Sequence, residues 1–254
     1  MDDRSTAGDV VSRITAAVDY LRVSVGPPPR DEPWLACAPL VMDPGHLLPV
    51  VRSTARDRGT EAAHVAMSLF VQGYSFRVAS VAIGGWLLDG VVIDVDPANM
   101  SIALGRGRPN AIRLAAADLV GSAGAPAETL HDALISGHLA GLVDTAHQAC
   151  RVGEALLWGN VGASCAASFG AFMDALAERR VEIRDRVRSF FATARPELAR
   201  SGRVVPVGSR WAWERNACCL WYQTPAGFRC QDCSLWSAEE RADQYEAMRA
   251  QEEM

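Results

Sequence analysis

Four of the chain's seven cysteines fall within sixteen positions near its carboxyl end, in the run ERNACCLWYQTPAGFRCQDC over residues 214–233. Cys218 and Cys219 are adjacent, ten residues follow, and Cys230 and Cys233 then form a CxxC pair. The other three, Cys37, Cys150 and Cys165, are dispersed as small buried side chains usually are. Four soft sulfur ligands so close together tie down whatever surrounds them, and they suit a tetrahedral zinc ion or an iron–sulfur cluster, with a disulfide pair as the remaining reading. A zinc site usually draws on two spaced knuckles, whereas the adjacent pair here has diverging Cβ vectors, which the two metal ions of a binuclear cluster accommodate more easily.

The rest of the chain narrows the function classes. At 254 residues and a formal charge of −5 it has no basic stripe to neutralise a phosphate backbone, so no nucleic-acid partner is expected. All 25 basic residues are Arg, which removes a P-loop lysine, a Schiff-base lysine and any lysine general base. The amino terminus is acidic and broken by polar residues, unlike a signal peptide. The longest apolar run, about residues 78–88, is short of the roughly 20 residues that span a bilayer. A cytoplasmic chain without a transmembrane segment is therefore expected, and in a reducing compartment clustered thiols read as ligands before disulfides.

Periodicity predicts an α+β chain: a mainly helical domain with a small antiparallel three-stranded meander and a C-terminal cysteine-rich, metal-stapled segment. Val10, Val11, Ile14, Val18 and Leu21 recur at helical spacing and predict a helix over 6–24, ahead of Gly26 and three prolines. Helices are expected over 60–72 and 74–88, divided near Gly73. The β-rich runs 91–95, 101–105 and 111–115, separated by turn compositions, predict the meander at about 91–115. Residues 125–200 read as helical again. This makes 1–200 the helical domain and 201–254 the cysteine-bearing segment with a terminal helix. Residues 203–236 carry four of the seven Trp, four Cys and little periodicity, a composition that needs a staple. At their far end, the run of residues 237–240, Ser-Ala-Glu-Glu, has the form of a capping box.

The motif CC-x10-CxxC, with Arg215 before it and Leu220 and Tyr222 in CCLWY, resembles the C-terminal signature of the FhuF-like ferric-siderophore reductase family. LLWGN, residues 156–160, is a weaker echo of an internal Trp-Gly-Asn element of that family. The resemblance implies that Cys218, Cys219, Cys230 and Cys233 ligate a [2Fe-2S] cluster and transfer electrons through it. It implies further that the protein is an iron–sulfur oxidoreductase reducing Fe(III)-siderophores by one electron to release Fe(II). The resemblance leads one to expect a hydroxyl residue where Ala217 stands and a glycine-rich turn where the ten-residue connection has one Gly, departures that bear on hydrogen bonding to sulfur.

No GxGxxG follows a strand, so electrons are expected from a separate ferredoxin- or flavoprotein-type reductase. The ferric siderophore is the other partner, and peripheral association with a siderophore transporter is a further expectation. Arg215, Arg229, Trp158, Asn160, Trp221 and Tyr222 are candidates for substrate contact or for surrounding the cluster, against the plain reading of each as packing or surface. The histidines form no motif, and Cys165 reads as core. The alternatives are a zinc-stapled adaptor without redox chemistry and a siderophore-binding protein without a redox role.

Overall fold

A computed structural model describes residues 7–29 and 32–250, except for the side chain of Asp174. In chain order the elements are α1 (Ala7–Ala17), β1 (Arg22–Val25), β2 (Trp34–Ala36), α2 (Cys37–Met42), α3 (Pro44–Arg58) and α4 (Ala63–Leu88). Next come β3 (Val92–Ile93), β4 (Met100–Gly105), β5 (Arg108–Leu114) and β6 (Leu119–Gly121). The second helical stretch holds α5 (Ala127–Leu130), a π-helical segment His131–Leu139, α6 (Ala140–Cys150), α7 (Glu154–Ala175), α8 (Arg180–Ala192) and α9 (Pro196–Ala199). The chain closes with β7 (Gly202–Val207), β8 (Arg210–Arg215) and α10 (Ala238–Ala250).

The architecture is α+β, and α4 and α7 form its axis. Ser68, Gln72 and Phe76 of α4 meet Asn160, Ser164 and Ser168 of α7 through hydrogen bonds at a constant offset of 92 residues, so the two helices run parallel. Small residues along the seam allow close approach, and the ring of Phe172 occupies the space beside Gly84. Both helices are long and apolar enough to cross a membrane by length and composition, which the shorter run read from sequence did not indicate; 78% of each apolar window is buried inside the fold. Their lack of a polar face is that of central core helices.

Four sequence-based expectations change. First, α1 stops at Ala17, where the periodicity extended to residue 24; residue 6 lies outside the described residues. The Arg-Val-Ser-Val run instead pairs in parallel with β5, since β-branched residues gain more from a sheet ladder than from a further helical turn. Second, α4 runs unbroken through Gly73: an interior glycine costs about 1 kcal/mol, which burial of most of the helix outweighs.

Third, the predicted meander is not formed. β4 and β5 make an antiparallel hairpin as expected, but β3 pairs with β6. The hairpin is completed by β1 and β2 in a four-stranded sheet of order β1-β5-β4-β2. Its tight turn uses Arg106 (φ 50°) and Gly107 (φ 66°), and Gly107 sits so close to Asp57 that a Cβ would lie 2.6 Å from Asp57 Cβ.

Fourth, residues 202–215 are periodic after all. β7 and β8 form a hairpin whose strand β8 alternates half-buried and buried positions, turning Trp211, Trp213 and Arg215 inward. Trp213 stacks on Phe191 of α8 with ring centroids 4.4 Å apart, so this part of the carboxyl-terminal segment packs against the helical body. The capping box forms as read: Ser237 N–H donates to Glu240 Oε2 (2.7 Å) and Glu240 N–H to Ser237 Oγ (3.1 Å).

Candidate metal centre

The inward face of β8 delivers Arg215, and the chain beyond it lies directly on α7. Ala217 packs against Gly159, where a Cβ would come within 2.8 Å of the Ala217 Cβ. The small side chain of Ala217 is thus part of a close approach between the cysteine segment and the Trp-Gly-Asn element. One step on, the Cys219 carbonyl accepts a hydrogen bond from Ser68 Oγ (2.7 Å) of α4. Leu220 adopts a left-handed conformation (φ 66°), which for a branched side chain is strained and marks a backbone held by its surroundings. That turn lets Leu220 N–H point at Cys218 Sγ (3.4 Å).

The connection between the cysteine pairs is a sequence of tight local bonds. Buried Thr224 donates its hydroxyl to the Trp221 carbonyl (3.0 Å), and Gly227 N–H donates to the Thr224 carbonyl (2.8 Å). Gly227 has no room for a side chain: a Cβ would lie 1.9 Å from the Trp221 oxygen. At the CxxC, Cys233 N–H and Trp236 Nε1–H both donate to the Cys230 carbonyl (3.1 and 2.8 Å).

The four thiols meet as two pairs. Cys219 Sγ lies 3.3 Å from Cys230 Sγ, and Cys218 and Cys233 are near enough for their charges to act on one another. Cys219 and Cys233 are buried, Cys218 and Cys230 half-buried. Among the described residues no three His, Cys, Asp or Glu side chains are grouped closely enough to hold a metal ion as they stand. The hydrogen bond from Cys230, with the Arg215 charge acting in the same direction against burial, draws the Cys219 thiol down to about 6. Its partner Cys230 is pushed up, by that same bond and by burial. Burial raises Cys218 to about 11.

Among the described residues, Arg215 is the only charged side chain in the set of largest fully buried ones. Its Nη2 donates to Asn160 Oδ1 (2.6 Å), while Nη1 faces Asp232 Oδ2 at 3.6 Å. Nε and Nη1 have no hydrogen-bond acceptor among the described residues. Asn160, itself buried, donates through Nδ2 to both the carbonyl and the hydroxyl of Ser68 (2.9 Å each). A continuous polar chain therefore runs Arg215, Asn160, Ser68, Cys219 carbonyl. Buried guanidinium N–H groups left without acceptors cost free energy unless an anion meets them. A centre built on four thiolates carries that negative charge, so the donor set and its buried cation fit one another.

The remaining candidates separate clearly. Asn160 donates to Ser68 in the α4–α7 seam. Trp158 is buried under the guanidinium of Arg195 (4.7 Å to the ring centroid) and acts in helix packing. Arg229 pairs with Glu240 (3.1 Å) and covers the Trp236 ring (4.8 Å), which fixes the start of α10. Trp221 lies beneath Arg58 (4.7 Å) with Phe228 at its edge, and Tyr222 is exposed, its hydroxyl accepting from Gln223. His131 and His138 are buried and hydrogen-bonded, and Cys165 is core, as read.

Three residues escaped the sequence reading. Ser68 is one polar letter in an apolar helical run and carries no local signal. Asp232, inside the CxxC itself, and Arg58, one helix away from any cysteine, become visible only once the loop is folded.

A family model described as "Ferric iron reductase FhuF-like transporter" matches residues 68–204, more than half of the 254. The chain belongs to this family. A search of curated proteins returns no match. The FhuF-like match begins at Ser68, includes Asn160, and ends before Arg215 and the four cysteines. It thus covers the helical body on which the cysteine segment lies, including Ser68 and Asn160, two of the residues that anchor that segment.

Proposed function

We propose that this FhuF-like protein is a ferric-siderophore reductase whose Cys218, Cys219, Cys230 and Cys233 hold a [2Fe-2S] cluster, carried by the segment 201–254. The observation that carries the reading is the fully buried Arg215, two of whose guanidinium nitrogens have no hydrogen-bond acceptor among the described residues, beside the close Cys219–Cys230 thiol pair. When bound, the cluster supplies one electron at a time, at a potential set by its net charge and by the hydrogen bonds to sulfur.

The chain's own residues set those conditions. The four thiols lose their protons on binding metal. Arg215 offsets thiolate charge from within the protein, held in place by Asn160 and, at longer range, Asp232. Leu220 N–H donates to Cys218 sulfur. Each of these favours the more negative, electron-rich state. In the substrate, Fe(III) gains one electron and becomes Fe(II), whose weaker hold on hard oxygen ligands releases it. The electron comes from a separate ferredoxin- or flavoprotein-type reductase, and we place the reaction in the cytoplasm, with peripheral docking on a siderophore transporter.

Anaerobically purified protein tests this. About two irons and as many acid-labile sulfides per chain are expected, with a paramagnetic signal after reduction. Cys230→Ser should lose both the cluster and iron release from a ferric siderophore. One zinc with no sulfide would overturn the proposal.

A further inference from the structure

Beside the cysteine loop the surface opens into a groove of about 880 Å³, with Cys219, Cys230 and Trp221 in its wall. Around it the fold leaves large apolar side chains in water. Phe228, two residues before Cys230 and edge-on to Trp221 (centroids 6.3 Å apart), is 68% exposed, and Leu235, two residues after Cys233, is 45% exposed. Tyr222 is exposed as well. The loop that carries them is held by the Thr224 and Gly227 bonds and by Ser68 on the Cys219 carbonyl, so they are presented on a fixed support. Tyr222 and Leu235 lie outside the groove wall. A small molecule seated in the groove leaves them in water, whereas a partner of protein size covers them.

Three arginines from three elements line the same groove: Arg58 ends α3, Arg77 lies midway along α4, and Arg108 opens β5. The Arg106–Gly107 turn seats against Asp57 and Thr54 of α3, which brings Arg108, itself exposed, to the helix end. Arg58 covers the Trp221 ring (4.7 Å to the centroid), so the basic side of the groove adjoins the cysteine loop. Arg58 and Arg77 are both held below the ordinary arginine range, by burial first and then by the charge of Arg108. Asp57 is the one carboxylate acting on Arg58. The two acidic residues in the groove wall are engaged elsewhere: Glu214 with Arg203, Arg241 and Tyr245, and Asp232 with Arg215. Arg58 Nε is buried with no hydrogen-bond acceptor among the described residues. In a chain of net charge −5, three guanidinium groups kept together in this way are complemented by negative charge from outside.

We infer, resting on the function proposed above, that this face receives the electron donor, and that the donor is a small acidic one-electron carrier protein. Its carboxylates meet Arg58, Arg77 and Arg108, and its own apolar surface covers Tyr222, Phe228 and Leu235. The encounter is of the weak, rapidly exchanging kind: charge steers the approach, and a small apolar contact holds the carrier beside Trp221, two residues from Cys219.

Calorimetric titration of the purified protein with oxidised plant-type ferredoxin, a small acidic carrier, and with cytochrome c, a small basic one, reads binding without turnover. The ferredoxin should bind about tenfold or more tighter at about 0.05 M salt and lose most of that advantage at about 0.5 M. Arg108→Glu, at an exposed position, should weaken ferredoxin binding about fivefold or more, and Arg58→Gln should act in the same direction. Arg188→Glu, on α8 and outside the groove, should stay within about twofold of the parent. Phe228→Ser should weaken binding and leave its salt dependence unchanged. Equal affinities for the two carriers, or an Arg108→Glu variant no weaker than Arg188→Glu, would overturn the inference. So would self-association of the purified protein that Phe228→Ser abolishes, since it would assign the face to a second copy of the chain. Any of these in a protein that carries its irons and sulfides sinks the inference alone. An arginine-dependent preference for ferredoxin in a chain that isolates with one zinc sinks the proposed function alone.

Discussion

Arg215 Nη2 donates to Asn160 Oδ1 at 2.6 Å, joining the strand that leads into the cysteines to the Trp-Gly-Asn element 55 residues earlier. The bond is buried at both ends, and Asn160 passes the connection on to Ser68. It ties the cysteine segment to the α4–α7 seam.

Asn160→Leu removes the acceptor of a buried cation and the donor to Ser68 together. The expected loss is about 3 kcal/mol of stability, read as a lower urea midpoint at unchanged slope. Asn160→Asp, which keeps an acceptor for Arg215, should cost less; equal losses in the two variants would argue against the bond's importance.

Replacing Arg215 tests its electrostatic role. With the cluster in place, Arg215→Leu should shift the midpoint potential more negative by roughly 60 mV or more, a decade in a one-electron equilibrium. Arg215→Lys, which keeps the charge, should fall between that variant and the parent protein. Redox titration with optical detection makes the comparison; a potential that does not move separates Arg215 from the centre.

Contact between Gly159 and Ala217 can be probed by swapping the methyl group. Gly159→Ala should cost about 1–3 kcal/mol by overpacking. Adding Ala217→Gly should recover part of it, and a double-mutant cycle gives the coupling. Strict additivity would mean that the two residues do not press on one another.

Stability should depend on pH through His138. Burial lowers it to about 4, with its Nδ1–H on the Val95 carbonyl, the Tyr74 hydroxyl on Nε2, and Asp96 pulling weakly upward. A depressed histidine binds its proton more readily in the unfolded chain, so stability is full above about 6.5 and falls as pH drops toward 4. The loss is on the order of 3 kcal/mol. Thermal melts across that window should show it, and His138→Gln should flatten the profile. A profile unchanged in that variant would assign the dependence to other groups.

Thiol reactivity should divide by burial. Cys37, pushed up to about 12 by burial, and Cys165, raised further by the same cause, should resist iodoacetamide in the native protein. Half-buried Cys150 should be the most readily labelled thiol outside the four-cysteine segment. Peptide mass mapping reads the result, and early labelling of Cys165 would contradict its place in the core.

What the sequence determined by itself lies within short stretches of chain. The spacing of Cys218, Cys219, Cys230 and Cys233, the Ser237–Glu240 capping box and the β4–β5 hairpin are set by contacts among residues at most a few turns apart. The Arg-Trp-Ala-Trp-Glu-Arg alternation of β8 was also there to be read, and it places Arg215 on the face of the two buried tryptophans. Only the tertiary structure decided that β1 would leave a helical pattern to pair with β5, that β3 would choose β6, and that Ser68 and Asn160 would lie under the cysteines. Those outcomes depend on contacts spanning up to 151 residues, between Ser68 and Cys219. Their energies come from burial and from matching polar groups inside the core, and neither exists until the distant elements have packed together.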